Sequence, residues 1–401
     1  MKLVVRVTIG VAFFLVFGCN TNHSSQKTNS DLEQRQTPII DFEKILNDPT
    51  RILRMSDLVE TIEYIRPEYP KSIIGTIFGV RCQDSLLFVN SNKLLLCYSR
   101  EGKFLRTIGS EGRGPTEYLG ILDFAVNQHT IAINSNYIKT IRRYDLDGKH
   151  VGDTHYNGYV YNIDLLDDEL IALNMGHGAP IKTADPFVVS IVNYHGDTLA
   201  VKRVSPEYEN GVSSSPVRWL YKDTLCVWND LNDTIFSVTK DRIEPRYILD
   251  FGKYKMPEEK FRNAKMREAE GHRYILFPSF CETQKYLLMT YQYNNKAWVS
   301  YFEKETGKIF AWSHEPESIT YGIVRKSGLL NDIDGGVPLY LNNQRNDILY
   351  TTMTPEQLIG YAASGSMIKN SDNQKQKQLE NLIASLDESE NPLIILFKLK
   401  P

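Results

Sequence analysis

Leu94-Leu95-Leu96-Cys97-Tyr98 runs into Ser99-Arg100-Glu101-Gly102-Lys103 and out again through Phe104-Leu105-Arg106-Thr107-Ile108. Two strand-forming runs flank a polar connection that carries one glycine. A tight hairpin needs a residue at positive φ, which glycine adopts without steric cost. The phrase returns along the chain. Thr140 to Tyr144 leads through Asp145-Leu146-Asp147-Gly148-Lys149 into His150-Val151. Val188 to Asn193 leads through Tyr194-His195-Gly196-Asp197 into Thr198 to Val201, and Trp298 to Phe302 leads through a turn with Gly307 into Ile309 to Trp312. A degraded copy sits at Thr234 to Val238, with Lys240-Asp241 in the turn.

Two further strand-like runs precede each hairpin. They are Gly75 to Val80 with Leu86 to Asn90, Ile121 to Val126 with Thr130 to Asn134, and Tyr159 to Leu166 with Leu170 to Asn174. The fourth and fifth pairs are Val217 to Tyr221 with Thr224 to Trp228, and Tyr274 to Phe280 with Tyr286 to Tyr293. Four strands therefore recur every ~40–60 residues, which is the signature of β-propeller blades arranged around a channel. A sixth unit is assembled from pieces: Tyr321 to Lys326, Asp347 to Thr352, and the apolar Pro392 to Leu399. Leu58 to Ile65 is a strand with no hairpin partner nearby. Pairing it with the C-terminal strand closes the ring and removes the free edges that invite aggregation. The expected fold is all-β, a six-bladed propeller over residues 39–401 with short helical insertions in the later blades. Those helices are read at Pro257 to Glu270, at Thr354 to Ala363 with Thr354 as N-cap and Pro355 in the first turn, and at Asn373 to Leu386.

Gly109-Ser110-Glu111-Gly112-Arg113-Gly114-Pro115-Thr116-Glu117-Tyr118 adds a family resemblance. The loop resembles that of the six-bladed propellers common in Bacteroidetes, and also the Gly-rich turns of NHL repeats. Tyr144 to Lys149, Leu231 to Phe236, Asn331 to Gly336 and the closing Asn391 to Lys400 agree with it. The likeness covers roughly residues 40 to 401. The family often has a further glycine at the position of Thr116, and only the first blade junction keeps the full loop, so a uniform NHL array is not supported. The resemblance implies architecture and envelope location, since most members have no defined activity.

The N-terminus fixes an expected address. Lys2 and Arg6 precede the uncharged run Val7 to Gly18, too short to span a bilayer core but suited to the apolar region of a signal peptide. Val16-Phe17-Gly18-Cys19 resembles the lipobox of bacterial lipoproteins, which makes residues 1–18 a signal peptide and Cys19 the lipid-bearing residue. Residues 19–38 then read as a polar tether, its Asn, Ser, Thr and Gln too polar to fold alone. Asn20 is not the aspartate of the inner-membrane retention signal, which favours the outer membrane. Which face of that membrane is left open.

The formal charge of −3 and the lack of a basic stripe give no footing for nucleic acid. Cys82, Cys97, Cys226 and Cys281 are not spaced as a thiolate metal site. They read as buried free thiols, with a Cys82–Cys97 disulfide as the alternative. Backbone amides of the Gly109 to Tyr118 loop, with Arg113, Glu117 and Tyr118, could cradle an anion, or the loop could simply connect two blades. Asp332 and Asp334 supply oxygen ligands of the kind calcium takes, although an EF-hand is absent, and the same residues suit a self-bonded turn. No cofactor is otherwise expected. His177 is the loop histidine with the best claim to a role. Trp219, Tyr221 and Trp228 read either as core or as a glycan platform.

Two function classes follow. One is a lipid-anchored binding or scaffolding module for a glycan, a peptide or an envelope protein. The other is a propeller hydrolase or lyase with its site at the channel mouth. Converging Asp, Glu and His side chains there would favour the enzyme, and a groove would favour binding. A purely structural role would show as an apolar patch on a blade's outer face.

Overall fold

The computed structural model describes residues 36–401 apart from 46, 92, 136–137, 176–186, 205–215, 230–231, 315–327 and 369–373. Cys19, most of the tether, His177 and the strand expected at Tyr321 to Lys326 lie outside the described residues. The remainder is a six-bladed β-propeller.

Blade 1 runs Ile77–Gln83, Leu86–Ser91, Leu94–Ser99 and Phe104–Ile108, in sequence order across the sheet. Blade 2 is Asp123–Val126, Ile131–Ser135, Thr140–Tyr144 and His150–His155. Blade 3 is Val160–Leu165, Leu170–Met175, Phe187–Asn193 and Thr198–Arg203. Blade 4 is Val217–Tyr221, Thr224–Trp228, Thr234–Val238 and Ile243–Asp250, and blade 5 is Leu276–Glu282, Tyr286–Tyr293, Lys296–Glu303 and Ile309–His314. The hairpin glycines read from the sequence all turn with positive φ: Gly102 at 90°, Gly148 at 88°, Gly196 at 92° and Gly307 at 70°.

Blade 6 is stitched from both ends of the propeller. Leu393–Leu399 lies between Ile348–Met353 and the early strand Val59–Ile65, antiparallel to both. The expected closure is therefore present. A second N-terminal piece was not foreseen: Ile39–Asp41 adds a parallel fifth strand to the outer edge of blade 4, pairing with Ile248, Leu249 and Asp250.

Alternating side chains of each sheet pack against the next blade, so the core is divided among the blade junctions. Phe88, Leu95 and Ile108 of blade 1 meet Phe124, Ile133 and Tyr144 of blade 2. Equivalent clusters fill the junctions 2–3, 3–4, 4–5 and 5–6. The last, between blades 6 and 1, sets Ile394 and Leu396 against Val80, Leu87 and Val89, so the ring is closed by packing as well as by pairing.

The helices match their sequence signals with one difference. Pro355–Ala363 starts at Thr354, whose hydroxyl accepts from the Gln357 amide while Gln357 bonds back. Gln374–Ala384 follows. The segment expected as one helix from Pro257 to Glu270 is two, Glu258–Arg262 and Ala264–Glu270. Asn263 takes an extended conformation, and its side chain accepts from the Lys265 and Met266 amides. Asparagine bonds its neighbouring backbone readily, which favours a cap over a helix interior. No described helix is long and apolar enough to cross a membrane.

Candidate functional site

The Gly109 to Tyr118 loop joins blade 1 to blade 2 and is folded on itself. Gly112 donates to the Tyr118 carbonyl at 3.1 Å, and Tyr118 donates its amide to Ser110 at 3.0 Å. The Tyr118 ring is buried, its hydroxyl donating to the Ile108 carbonyl at 3.2 Å. Glu117 accepts from the Gly114 amide at 2.7 Å, so the chain's own carboxylate sits where an external anion would meet this loop. A Cβ at Gly112 would collide with that carboxylate, which explains the glycine. Arg113 is exposed.

Asp332 and Asp334 face different partners. Asp332 accepts from the Ser56 amide at 2.9 Å and the Ser56 hydroxyl at 2.6 Å. Asp334 accepts from Asn331 at 2.6 Å and from the Gly336 amide at 2.9 Å on Oδ1, and from the Tyr64 hydroxyl at 3.1 Å on Oδ2. Burial raises the Asp334 carboxyl above its ordinary value in spite of these bonds. Among the described residues no three His, Cys, Asp or Glu side chains are grouped as a metal would require.

Trp219 and Trp228 belong to the junction of blades 4 and 5, around Phe280. Tyr221 is half-buried beneath the Lys304 ammonium, which lies 4.7 Å from its ring centre. All four described cysteines are free thiols, three of them buried.

Sequence reasoning missed the charged side chains on the innermost strands. Each of these strands is the first of its blade and faces the central channel; Ile77–Gln83 lies against Asp123–Val126, and Asp123–Val126 against Val160–Leu165. Arg81 of blade 1 donates to Asp123 of blade 2 at 3.3 Å. Arg218 of blade 4 donates to the other oxygen of Asp123 at 2.7 Å, and its Nε lies 2.9 Å from Asp164 of blade 3. Arg345, just before the first full strand of blade 6, reaches the second Asp164 oxygen at 2.5 Å. The five form one alternating chain, Arg81–Asp123–Arg218–Asp164–Arg345, with a cation at each end. The Ile163 amide also donates to Asp123, at 2.9 Å.

Electrostatics follow from that order. Arg218 stands between two carboxylates, whose attraction outweighs its burial and raises it. Among the described residues Arg345 bonds one carboxylate only, that of Asp164. Burial pushes it down to about 10, with Arg81 and Arg218 adding repulsion. Guanidiniums remain charged even so, which leaves the chain one positive charge in excess.

Backbone bonds hold Arg345 in place. The Gln344 carbonyl accepts from the Leu220 amide at 3.1 Å, and the Asn346 amide donates to the Leu220 carbonyl at 2.7 Å. Asn346 also bonds Asp223 through its side chain, donating from Nδ2 at 2.9 Å and accepting from the Asp223 amide at 3.0 Å. Asn343 and Asn346 adopt positive φ, a conformation asparagine tolerates.

A second charged cluster lies beside the first. Glu282 is fully buried and accepts from Arg246 at 3.0 and 2.7 Å, from Lys304 at 2.7 Å and from the Tyr247 hydroxyl at 2.9 Å. Burial would raise its carboxyl, but Arg246 and Lys304 outweigh that and hold it below the ordinary range. This cluster joins blade 4 to blade 5.

Comparison with known proteins gives family and fold. A family model described as "Domain of unknown function (DUF4934)" matches residues 37–398. None of the curated proteins matches the chain. Among solved structures, a Bacteroides fragilis protein named "Putative exported protein" is similar with a TM-score of 0.65 at 16% identity, covering 90% of this chain and all of its own. A Bacteroides vulgatus member of the DUF4221 family has a TM-score of 0.43 at 10% identity, covering 86% of this chain and 97% of its own.

Proposed function

The chain belongs to the DUF4934 family, and from that premise we propose that it is a lipid-anchored binding module of the bacterial cell envelope whose ligand is met in the propeller channel. The observation that carries this reading is the chain of five acidic and basic side chains, four on the innermost strands and Arg345 beside them. Burying such charges is costly, and well-packed apolar residues usually serve stability as well or better. Their place at the channel, where propeller ligands meet the fold, gives them a use that packing does not require.

The enzyme reading has less support. A hydrolase or lyase needs a carboxylate or nucleophile free to act on substrate. Asp123 and Asp164 are each engaged by two guanidiniums. Burial pushes the thiols of Cys226 and Cys281 well up from their ordinary value.

The envelope address rests on the signal-like N-terminus with Cys19 and on the name of the Bacteroides fragilis relative in fold. Asn20 favours the outer membrane. Two experiments test the proposal. Cys19→Ala should move the protein from the membrane to the soluble fraction, and continued membrane attachment would refute the lipid anchor. A panel of envelope glycans and peptides should give binding without turnover, and hydrolysis or elimination of any member would replace the binding module by an enzyme.

A further inference from the structure

The ion chain of the channel is unbalanced, and its imbalance has a shape. An alternating chain that begins and ends on arginine leaves two forks that each share a single carboxylate. Arg81 has Asp123 and the Val80 carbonyl, and Arg345 has Asp164. The Nε of Arg81 is buried with no acceptor among the described residues, and that of Arg218 faces Asp164 without an aligned hydrogen bond. A guanidinium is a planar fork of donors with no acceptor of its own. The channel is therefore rich in donors and short of one negative charge.

We propose that the channel binds a ligand through one carboxylate group, received by Arg345 and the neighbouring arginines. A carboxylate supplies the missing charge, and its two oxygens match the guanidinium fork in a way a spherical anion does not. Arg345 is the entry point. Its side chain is the most exposed of the five, at 18% against 7–11% for the others. The backbone bonds of Gln344 and Asn346 to Leu220 fix its position beforehand, so little ordering remains to be lost on binding. This assignment rests on the channel being the binding site.

Titration calorimetry of the full chain in detergent, at constant ionic strength, separates the outcomes. The probes are two matched pairs: glucuronate with glucose, and N-acetylglycine with its amide. The charged member of one pair should bind about tenfold more tightly than its neutral partner, the scale of a charge-assisted hydrogen bond. Glucuronate binding alone would identify a sugar acid, and N-acetylglycine binding alone a peptide terminus. Arg345→Gln should weaken that binding by about tenfold or more, and Arg345→Lys, which keeps the charge but loses the fork, should recover only part of it. Should both Arg345 variants fail to fold, Arg81→Gln makes the same test from the other end of the chain. Equal binding of charged and neutral partners would overturn the carboxylate while leaving a binding module. Carboxylate binding unaltered in the folded arginine variants, or no binding of either carboxylate, would overturn the proposal as well.

Discussion

Gln344 grips the backbone of Glu282 from both sides: the Glu282 amide donates to its Oε1 at 2.7 Å, and its Nε2 donates to the Glu282 carbonyl at 2.7 Å. One neutral side chain thus supplies the two backbone hydrogen bonds that a neighbouring strand would have made. It also ties the segment that carries Arg345 to blade 5, next to the cluster around Glu282.

Gln344→Ala should therefore be costly for an exchange of one neutral residue. It leaves a buried amide and a buried carbonyl without partners, each worth about 1–3 kcal/mol. A loss of about 2–4 kcal/mol is expected in urea unfolding. A loss under about 0.5 kcal/mol would mean that the clamp is not formed.

Two buried carboxylates should respond to acid with opposite signs. The Glu282 carboxyl is held below its ordinary 4.5 by Arg246 and Lys304 in spite of burial. Its contribution is fully present above that value and is lost as pH falls through the lower folded value. Asp334 is raised above 3.8 by burial, so its native state holds a proton more tightly than the unfolded chain. Its contribution grows as pH falls through the raised value. Urea midpoints across about pH 3–6 should show a shallower acid loss in Glu282→Gln and a steeper one in Asp334→Asn. Glu282→Gln should also cost about 3–5 kcal/mol at neutral pH, because two cations lose their partner. Parallel pH curves for the wild type and both variants would contradict these assignments.

Ring closure rests on a short apolar strand. Phe397 is 1% exposed and lies between Ile62 on one side and Leu349 on the other. Phe397→Ala should cost about 3–5 kcal/mol through lost burial and the cavity left behind. An equal truncation at the exposed Phe78 should cost far less, which is checked by comparing the two melting temperatures.

The four described thiols should resist a disulfide-forming reagent in the native protein. Burial raises Cys82 to about 11 and moves the other three upward as well, leaving little thiolate at pH 8. Cys82, the only partly exposed one, should react first. Rapid native reaction of Cys97, Cys226 or Cys281 would show that these sites open.

The blades were legible because their hairpins repeat a physical requirement. Gly102, Gly148, Gly196 and Gly307 mark turns that need positive φ, and apolar alternation marks the strands beside them. The closure was legible because Leu58 to Ile65 is a strand with no hairpin partner nearby and Leu393 to Leu399 is an apolar strand at the other end. The channel was not. Arg81, Asp123, Asp164 and Arg218 each appear as a single charge within an apolar strand, which is how an outward-facing residue reads. Only the arrangement of blades reveals that these charges meet. Residues 342–347 show no apolar alternation at all, since two backbone bonds to Leu220 and Gln344's grip on Glu282 replace the usual ladder. The Gly109 loop was legible as a glycine-rich turn, but not the fact that Glu117 fills it.

Ile39–Asp41 lies on the outer edge of blade 4, upstream of the strand that closes the ring. Any pull applied from the N-terminal side loads this three-residue ladder before tension can reach Val59–Ile65. Ile40, buried in the junction of blades 4 and 5, acts as the pin of that ladder. The propeller thus carries a mechanical fuse. Drag can peel away one short strand, and the ring behind it stays shut.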